Sequence, residues 1–208
     1  MESYLTIFGE NTSEYVEKRS RFIATLRHCE TEKEATDFIN EMRSKYWDAR
    51  HNVFAYCVCG GSLCRFSDDG EPHGTAGKPM LDVILGSEIK NIAVVVTRYF
   101  GGVLLGTGGL VRAYSKSVQD VLKNSEVFIM LPCTACEIEC NYSDHAKLLN
   151  LIESFEGKVT DTEFTDRIKI KFSLKSERVE DFSKKLCEAF SATLELKEIG
   201  TKLTPFEK

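Results

Sequence analysis

The 208-residue sequence is long enough for one large or two small domains. Hydrophobic residues at 42%, charged residues at 28% and only four prolines exclude a disordered chain, and no apolar run approaches the roughly 18 residues of a membrane span. A net charge of -5 excludes a general attraction to nucleic acid or anionic lipid, so any such binding has to be local.

The first elements in chain order are strand-like runs at Tyr4 to Phe8, Tyr15 to Lys18 and Phe22 to Leu26. Thr31-Glu32-Lys33-Glu34 is a capping box, in which a threonine accepts from an amide three residues on and a glutamate reaches back. It opens a helix that buries Ala35, Phe38, Ile39, Met42 and Tyr46 at helical spacing, and the chain returns as a strand over Asn52 to Cys59. Pro79 suits the first turn of a helix, where its missing N–H costs nothing. Ile92 to Thr97 is continuously apolar and predicts a strand buried on both faces, followed by a glycine-rich loop and a helix from Leu110 to Lys123.

The pattern breaks near Met130-Leu131-Pro132, which predicts domains at 1–132 and 133–208. Beyond the break, Cys136, Ile138, Cys140 and Tyr142 alternate with polar residues in a strand. A helix capped by Ser143 and ended by Gly157 follows, then a hairpin of Val159 to Thr165 and Ile168 to Leu174. A helix opened by Ser176 and a closing strand around Leu194 and Leu196 complete a β-α-β-β-α-β, ferredoxin-like unit. Strand order 4-1-3-2 would set Glu137 and Glu139 beside Lys169 and Lys171, with Asp161 and Glu163 beyond, a charge-compensated face without a base-stacking pair. The fold class is therefore α+β.

Two segments could carry chemistry. Ser67 to Pro79 holds Asp68, Asp69, Glu71, His73 and Thr75 among three glycines and two prolines. Its carboxylates could hold a hard cation or accept from a basic partner; alternatively they cap nearby helix ends, and EF-hand spacing is missing. Thr97 to Tyr114 runs from strand through Gly106, Gly108 and Gly109 into a helix, a place where backbone N–H groups and the helix dipole can hold an anion, with Arg98 and Arg112 adding charge. The alternative is that its glycines serve packing and turns while the arginines pair with Asp68, Asp69 or Glu71. No Lys-Ser or Lys-Thr follows the glycines and Val111 stands where a dinucleotide fingerprint has its last glycine, so neither nucleotide motif is present.

The eight cysteines lie mostly in strand-like runs and read as reduced thiols. Cys133, Cys136 and Cys140, with Cys187 or His145 as a fourth ligand, have the look of a metal cluster, but the strand pattern puts Cys136 and Cys140 on the inward face with Ile138, and Cys57 and Cys59 read as core in the same way. The start, Met1-Glu2-Ser3, lacks a secretory signal, and the expected location is cytoplasmic. The four histidines lie in unrelated contexts, so no nucleophile-base arrangement is read, nor any metal site or cofactor.

Arg19-Ser20-Arg21-Phe22-Ile23-Ala24, Ala49-Arg50-His51, Ser67-Asp68-Asp69-Gly70-Glu71-Pro72, Gly74-Thr75-Ala76-Gly77-Lys78-Pro79, Thr97-Arg98-Tyr99-Phe100-Gly101-Gly102 and Leu105 to Tyr114 together resemble the YigZ/IMPACT family, in the right order over residues 17 to 116. The resemblance implies an N-terminal domain like the second domain of ribosomal protein S5 and a C-terminal ferredoxin-like domain similar to one in elongation factor G. It also implies a non-catalytic, translation-associated regulator that binds RNA, the ribosome or a protein partner through a cleft lined by the two segments, with no sequence-specific DNA binding and no membrane. Eukaryotic relatives compete for a protein that activates a translation-factor kinase, but they carry a different accessory domain that this sequence does not show, so that partner does not carry over. The expected cleft residues are Asp68, Asp69, Glu71, Thr75, Arg98, Tyr99, Gly106, Gly108, Gly109 and Arg112. The alternative is a phosphate-ligand-binding protein or enzyme whose glycine-rich loop cradles phosphate at the helix start.

Overall fold

A computed structural model describes residues 2–207. These separate into two compact units, Tyr4–Ile129 and Met130–Phe206. The first unit contains β1 (Tyr4–Ile7), β2 (Glu10–Glu17), β3 (Ser20–His28), α1 (Glu32–Lys45), β4 (His51–Val58), β5 (Leu63–Ser67), α2 (Gly77–Gly86), β6 (Ile92–Tyr99) and α3 (Thr107–Lys123). Its sheet has the order β2-β3-β6-β4-β5 with every neighbouring pair antiparallel.

The continuous apolar run of β6 is explained by its central place, since both faces of that strand are covered. On one face Ile92, Val94 and Val96 meet Phe22, Leu26, Met80 and Ile84, and α3 closes the layer with Leu110, Tyr114, Val118 and Val121. On the other face Ala93 and Val95 meet Phe38, Ile39 and Met42 of α1. Fully burying each such side chain is worth about 1.5–3 kcal/mol, so the helices are held by their apolar stripes more than by propensity. The α1 cap forms with one change of partner. Thr31 Oγ1 accepts from the Glu34 amide at 3.2 Å, but the Glu34 carboxylate reaches back to the amide of Glu30, at 2.7 Å.

β7 (Val127–Cys140) crosses between the units, followed by α4 (His145–Ser154), β8 (Lys158–Phe164), β9 (Ile168–Lys175), α5 (Val179–Ala189) and β10 (Lys197–Glu207). The sheet runs β1-β7-β9-β8, with β10 also pairing β7, and the four strands β10, β7, β9 and β8 keep the 4-1-3-2 neighbours of a ferredoxin-like unit. Both helices pack on one face, around Cys136, Ile138, Ile170 and Phe172. On the opposite face Glu137 and Glu139 stand across from Lys171 and Lys169, and the Lys171 amine donates to Asp161 at 3.1 Å and Glu163 at 2.7 Å.

Several local expectations are corrected. β7 is unbroken at Pro132, because its register with β9 starts at Cys133 and the missing proline N–H costs no bond in that ladder. The two units divide at Ile129/Met130, inside this strand and within three residues of the 132/133 boundary that the sequence pattern predicts. Asp144, not Ser143, is the N-cap of α4, and its left-handed exit residue is Glu156, with φ of 58°. Gly157 is needed there for a different reason: a Cβ would lie 2.6 Å from Ile152 Cγ2. The closing strand starts at Lys197, after the leucine pair expected inside it. Ser176 opens a single 3-10 turn that precedes α5.

The cysteines also depart from expectation. β5 went unrecognised in the sequence, and its register with β4 sets Cys57 directly opposite Cys64, where the two are joined by a disulfide in place of two reduced thiols. Cys59 lies in the turn between the two strands and is exposed, not in the core. Among the described residues no helix is long and apolar enough to cross a membrane.

Candidate functional site

Three adjacent strands of the first sheet bring Phe22, Arg98 and His51 into one row, since Arg98 of β6 pairs in register with Phe22 of β3 and His51 of β4. A charged side chain at this inward position has to be neutralised. Glu71, from the loop between β5 and α2, does so: its Oε1 accepts from Arg98 Nη1 at 2.6 Å and from the Tyr114 hydroxyl of α3 at 2.7 Å. Both charged side chains are buried, Glu71 at 3% and Arg98 at 7% exposed. Burial first, then the adjacent Glu71 carboxylate, holds the Tyr114 phenol protonated far above its ordinary range. The guanidinium of Arg98 also lies 5.5 Å from the Phe22 ring centre and 5.7 Å from that of Phe100.

Above this network lies a cavity of about 490 Å³, walled by Arg50, His51, Gly70, Glu71, Pro72, Arg98, Phe100 and the segment Leu104 to Thr107 with Leu110. His51 is fixed by a 2.7 Å bond to the carbonyl of Asp69. A carbonyl can only accept, so Nδ1 carries the proton, and Nε2 is left 3.9 Å from the Glu71 carboxylate. Gly106, at φ 74°, turns the chain into α3 with no side chain capping that end. The first amide of the turn to find a helical carbonyl is Leu110, bonded to Gly106 at 2.9 Å, so the amides of Thr107, Gly108 and Gly109 are available to a ligand.

The expected residues divide around this cavity. Glu71, Arg98 and Gly106 line it. Gly108 stands exposed at the helix start, and Gly109 packs against Leu105. Arg112 does not meet the acidic loop. It lines a second hollow of about 310 Å³ with Tyr15, Glu17, Lys18, Leu105, Gly109, Ala113 and Lys116. Tyr99 follows Arg98 in β6 and so faces the opposite side of the sheet, its hydroxyl donating to Asp48 at 2.9 Å.

The acidic loop is likewise split up. Asp68 accepts from the amides of Gly74, Ala76 and Gly77 at 2.8, 3.1 and 2.8 Å and so caps α2, which has no cap of its own. Asp69 accepts from the Asn52 amide at 2.7 Å and from Arg43 at 3.1 Å. The Thr75 hydroxyl donates to the Pro72 carbonyl at 2.6 Å. These three build the loop, and the carboxylates do not converge on a common point; among the described residues no cluster of His, Cys, Asp or Glu has metal-holding geometry.

Sequence reasoning left out Arg50, His51, Phe100 and Thr107. The available signal was the Ala49-Arg50-His51 segment, whose place at the start of β4 sets His51 across from Arg98.

A family model described as the Impact N-terminal domain matches residues 18–122, which include every residue of this cavity. The chain belongs to the IMPACT family. A second model, Domain of unknown function (DUF1949), matches residues 138–193 in the ferredoxin-like unit. The IMPACT family member YigZ of Escherichia coli is 36% identical over 200 residues, covering 94% of this chain and 98% of that protein. An IMPACT family member of Haemophilus influenzae is 41% identical over 189 residues, covering 88% of this chain and 91% of that protein. A solved structure titled as a hypothetical protein has 36% identity and a TM-score of 0.62, and the match covers 96% of this chain and 98% of that one. The likeness to this bacterial IMPACT architecture thus runs through both units.

Proposed function

We propose that this IMPACT family protein is a non-catalytic, cytoplasmic regulator associated with translation, and that its first unit binds RNA across the N-terminal turn of α3. One observation carries the reading: two hollows with cationic walls flank Leu105, one with Arg50 and the Thr107 end of α3 above the Arg98–Glu71 pair, the other with Lys18, Arg112 and Lys116, the last of these also paired with Asp120. A strand crossing the turn would meet cations on both sides. Such a local cationic track is what a chain of net charge -5 needs in order to hold a polyanion. The non-catalytic part is supported by how the ionisable groups are used. Glu71 is committed to Arg98 and Tyr114, and His51 Nδ1 to a carbonyl, so no activated nucleophile faces the cavity.

The test is anisotropy of a labelled single-stranded RNA on the full chain over a salt series. Neutralising three or four phosphates predicts a slope of log K against log salt of about -2 to -3, reduced by about 0.7 in Arg112→Ala. Absence of salt-dependent binding, or binding unchanged in both Arg50→Ala and Arg112→Ala, overturns the reading. The cavity of about 490 Å³ supports a second reading, a small phosphate ligand or its enzyme, because it falls within the roughly 300–1,000 Å³ of small-molecule sites. Mononucleotides that bind as tightly as RNA would favour it.

A further inference from the structure

We infer that the Arg50–Arg98 cavity is built for a terminal phosphomonoester, such as the 5′ end of a strand, rather than for an internal phosphodiester. The inference rests on the RNA reading above and deepens it. Its floor is Arg98 and Glu71, both less than a tenth exposed.

The donors outnumber what a diester can use. At the cavity wall the amide of Thr107 lacks a helical partner, and no side chain caps that end of α3. Arg98 gives Nη1 to Glu71, while its buried Nε has no partner among the described residues. Arg50 is exposed on the wall with no carboxylate within ion-pair distance among the described residues. A diester offers two unesterified oxygens to this set, a monoester three.

Charge selects in the same direction. Glu71 cancels Arg98, which leaves Arg50 and about half a positive charge from the start of α3. The sum of roughly +1.5 matches the -1.5 to -2 of a monoester near neutral pH and exceeds the single charge of a diester. An internal phosphate held at the rim would leave the buried Arg98 Nε unfilled, and an unmet buried donor costs more than a made bond gains.

The experiment uses the full chain and one short RNA sequence labelled at its 3′ end, carrying either a 5′-phosphate or a 5′-hydroxyl, with adenosine 5′-monophosphate and adenosine as small probes in thermal unfolding. The 5′-phosphate RNA is expected to bind about tenfold more tightly, the equivalent of one charge-assisted contact, and to lose that advantage in Arg50→Ala while the 5′-hydroxyl RNA changes less. Equal affinity of the two RNAs overturns the inference and leaves the RNA reading standing. No RNA binding, with a midpoint raised by the monophosphate and not by adenosine, upholds the monoester site and removes RNA as its carrier. No response to any of the four removes both.

Discussion

Replacing Glu71 by glutamine tests the buried network without changing its shape. The amide oxygen can still accept from Arg98 and Tyr114, at present 2.6 and 2.7 Å away, but the guanidinium is left without a counter-charge at a site where it is 7% exposed. Breaking a buried ion pair from one side costs about 3–5 kcal/mol. The retained hydrogen bonds place Glu71→Gln at the lower end, about 3 kcal/mol, a large part of the 5–15 kcal/mol that holds a typical domain together. Amide hydrogen exchange of peptides from β6 and α3, the two elements the network joins, is the direct readout. Their protection should fall by about two powers of ten, at 1.4 kcal/mol for each. The combination Glu71→Leu, Arg98→Met and Tyr114→Phe removes both charges and the hydroxyl that donates to Glu71, and should recover most of that loss. A cost below about 1 kcal/mol for Glu71→Gln, or a triple variant no better than the single one, would refute the assignment of Glu71 as the charge partner that keeps Arg98 in the wall of the cavity.

Gly101→Ala should abolish soluble folded protein, because a Cβ there would sit 2.1 Å from the Arg19 carbonyl carbon and 2.4 Å from the Ser20 nitrogen, backbone atoms that cannot swing aside. Gly86→Ala, with nothing within 4 Å of its Cβ, should be neutral or stabilise by up to about 1 kcal/mol; yield and urea midpoints compare the two. Burial pushes the thiols of Cys29 and Cys136 up to about 11, so iodoacetamide near pH 8 should label the exposed Cys59 and Cys187 and spare both, as peptide mapping would show. Because these two native thiols keep their protons to higher pH than unfolded ones, their contribution is full below about pH 8.5 and is lost as pH rises towards 11. Stability should fall across that window by up to about 1.4 kcal/mol per thiol per pH unit, and a rise would contradict the assignment.

The elements that a single stretch of chain can specify were legible in the sequence. Alternation over Cys136 to Cys140 and Ile168 to Leu174, with helical spacing in α4 and α5, marks the ferredoxin-like unit because each pattern needs only one apolar face. The apolar run of β6 announced a strand covered on both sides, and Thr31 marked the start of α1. β5 escaped because Leu63 to Ser67 is a short edge strand, only partly buried and without clean alternation. The family segments could be read as well, since they are strings of residues in order.

What the sequence could not decide is which of those residues face one another. Asp68, Asp69 and Glu71 lie within four positions, yet one caps a helix, one meets Arg43 and one neutralises Arg98, because turns at Asp69 and Gly70, both at positive φ, send the side chains apart. Arg98 and Tyr99 are neighbours on opposite faces of a sheet. Arg112 sits in the second turn of α3, but the packing of that helix on the sheet sends it to the hollow beyond Leu105. His51 joins the site solely because β4 pairs with β6 in the register that sets it across from Arg98. Spacing along one element is a local property with a fixed period, whereas the meeting of side chains from β4, β6, α3 and a loop depends on strand register and helix packing, which are decided only when the whole unit buries its core.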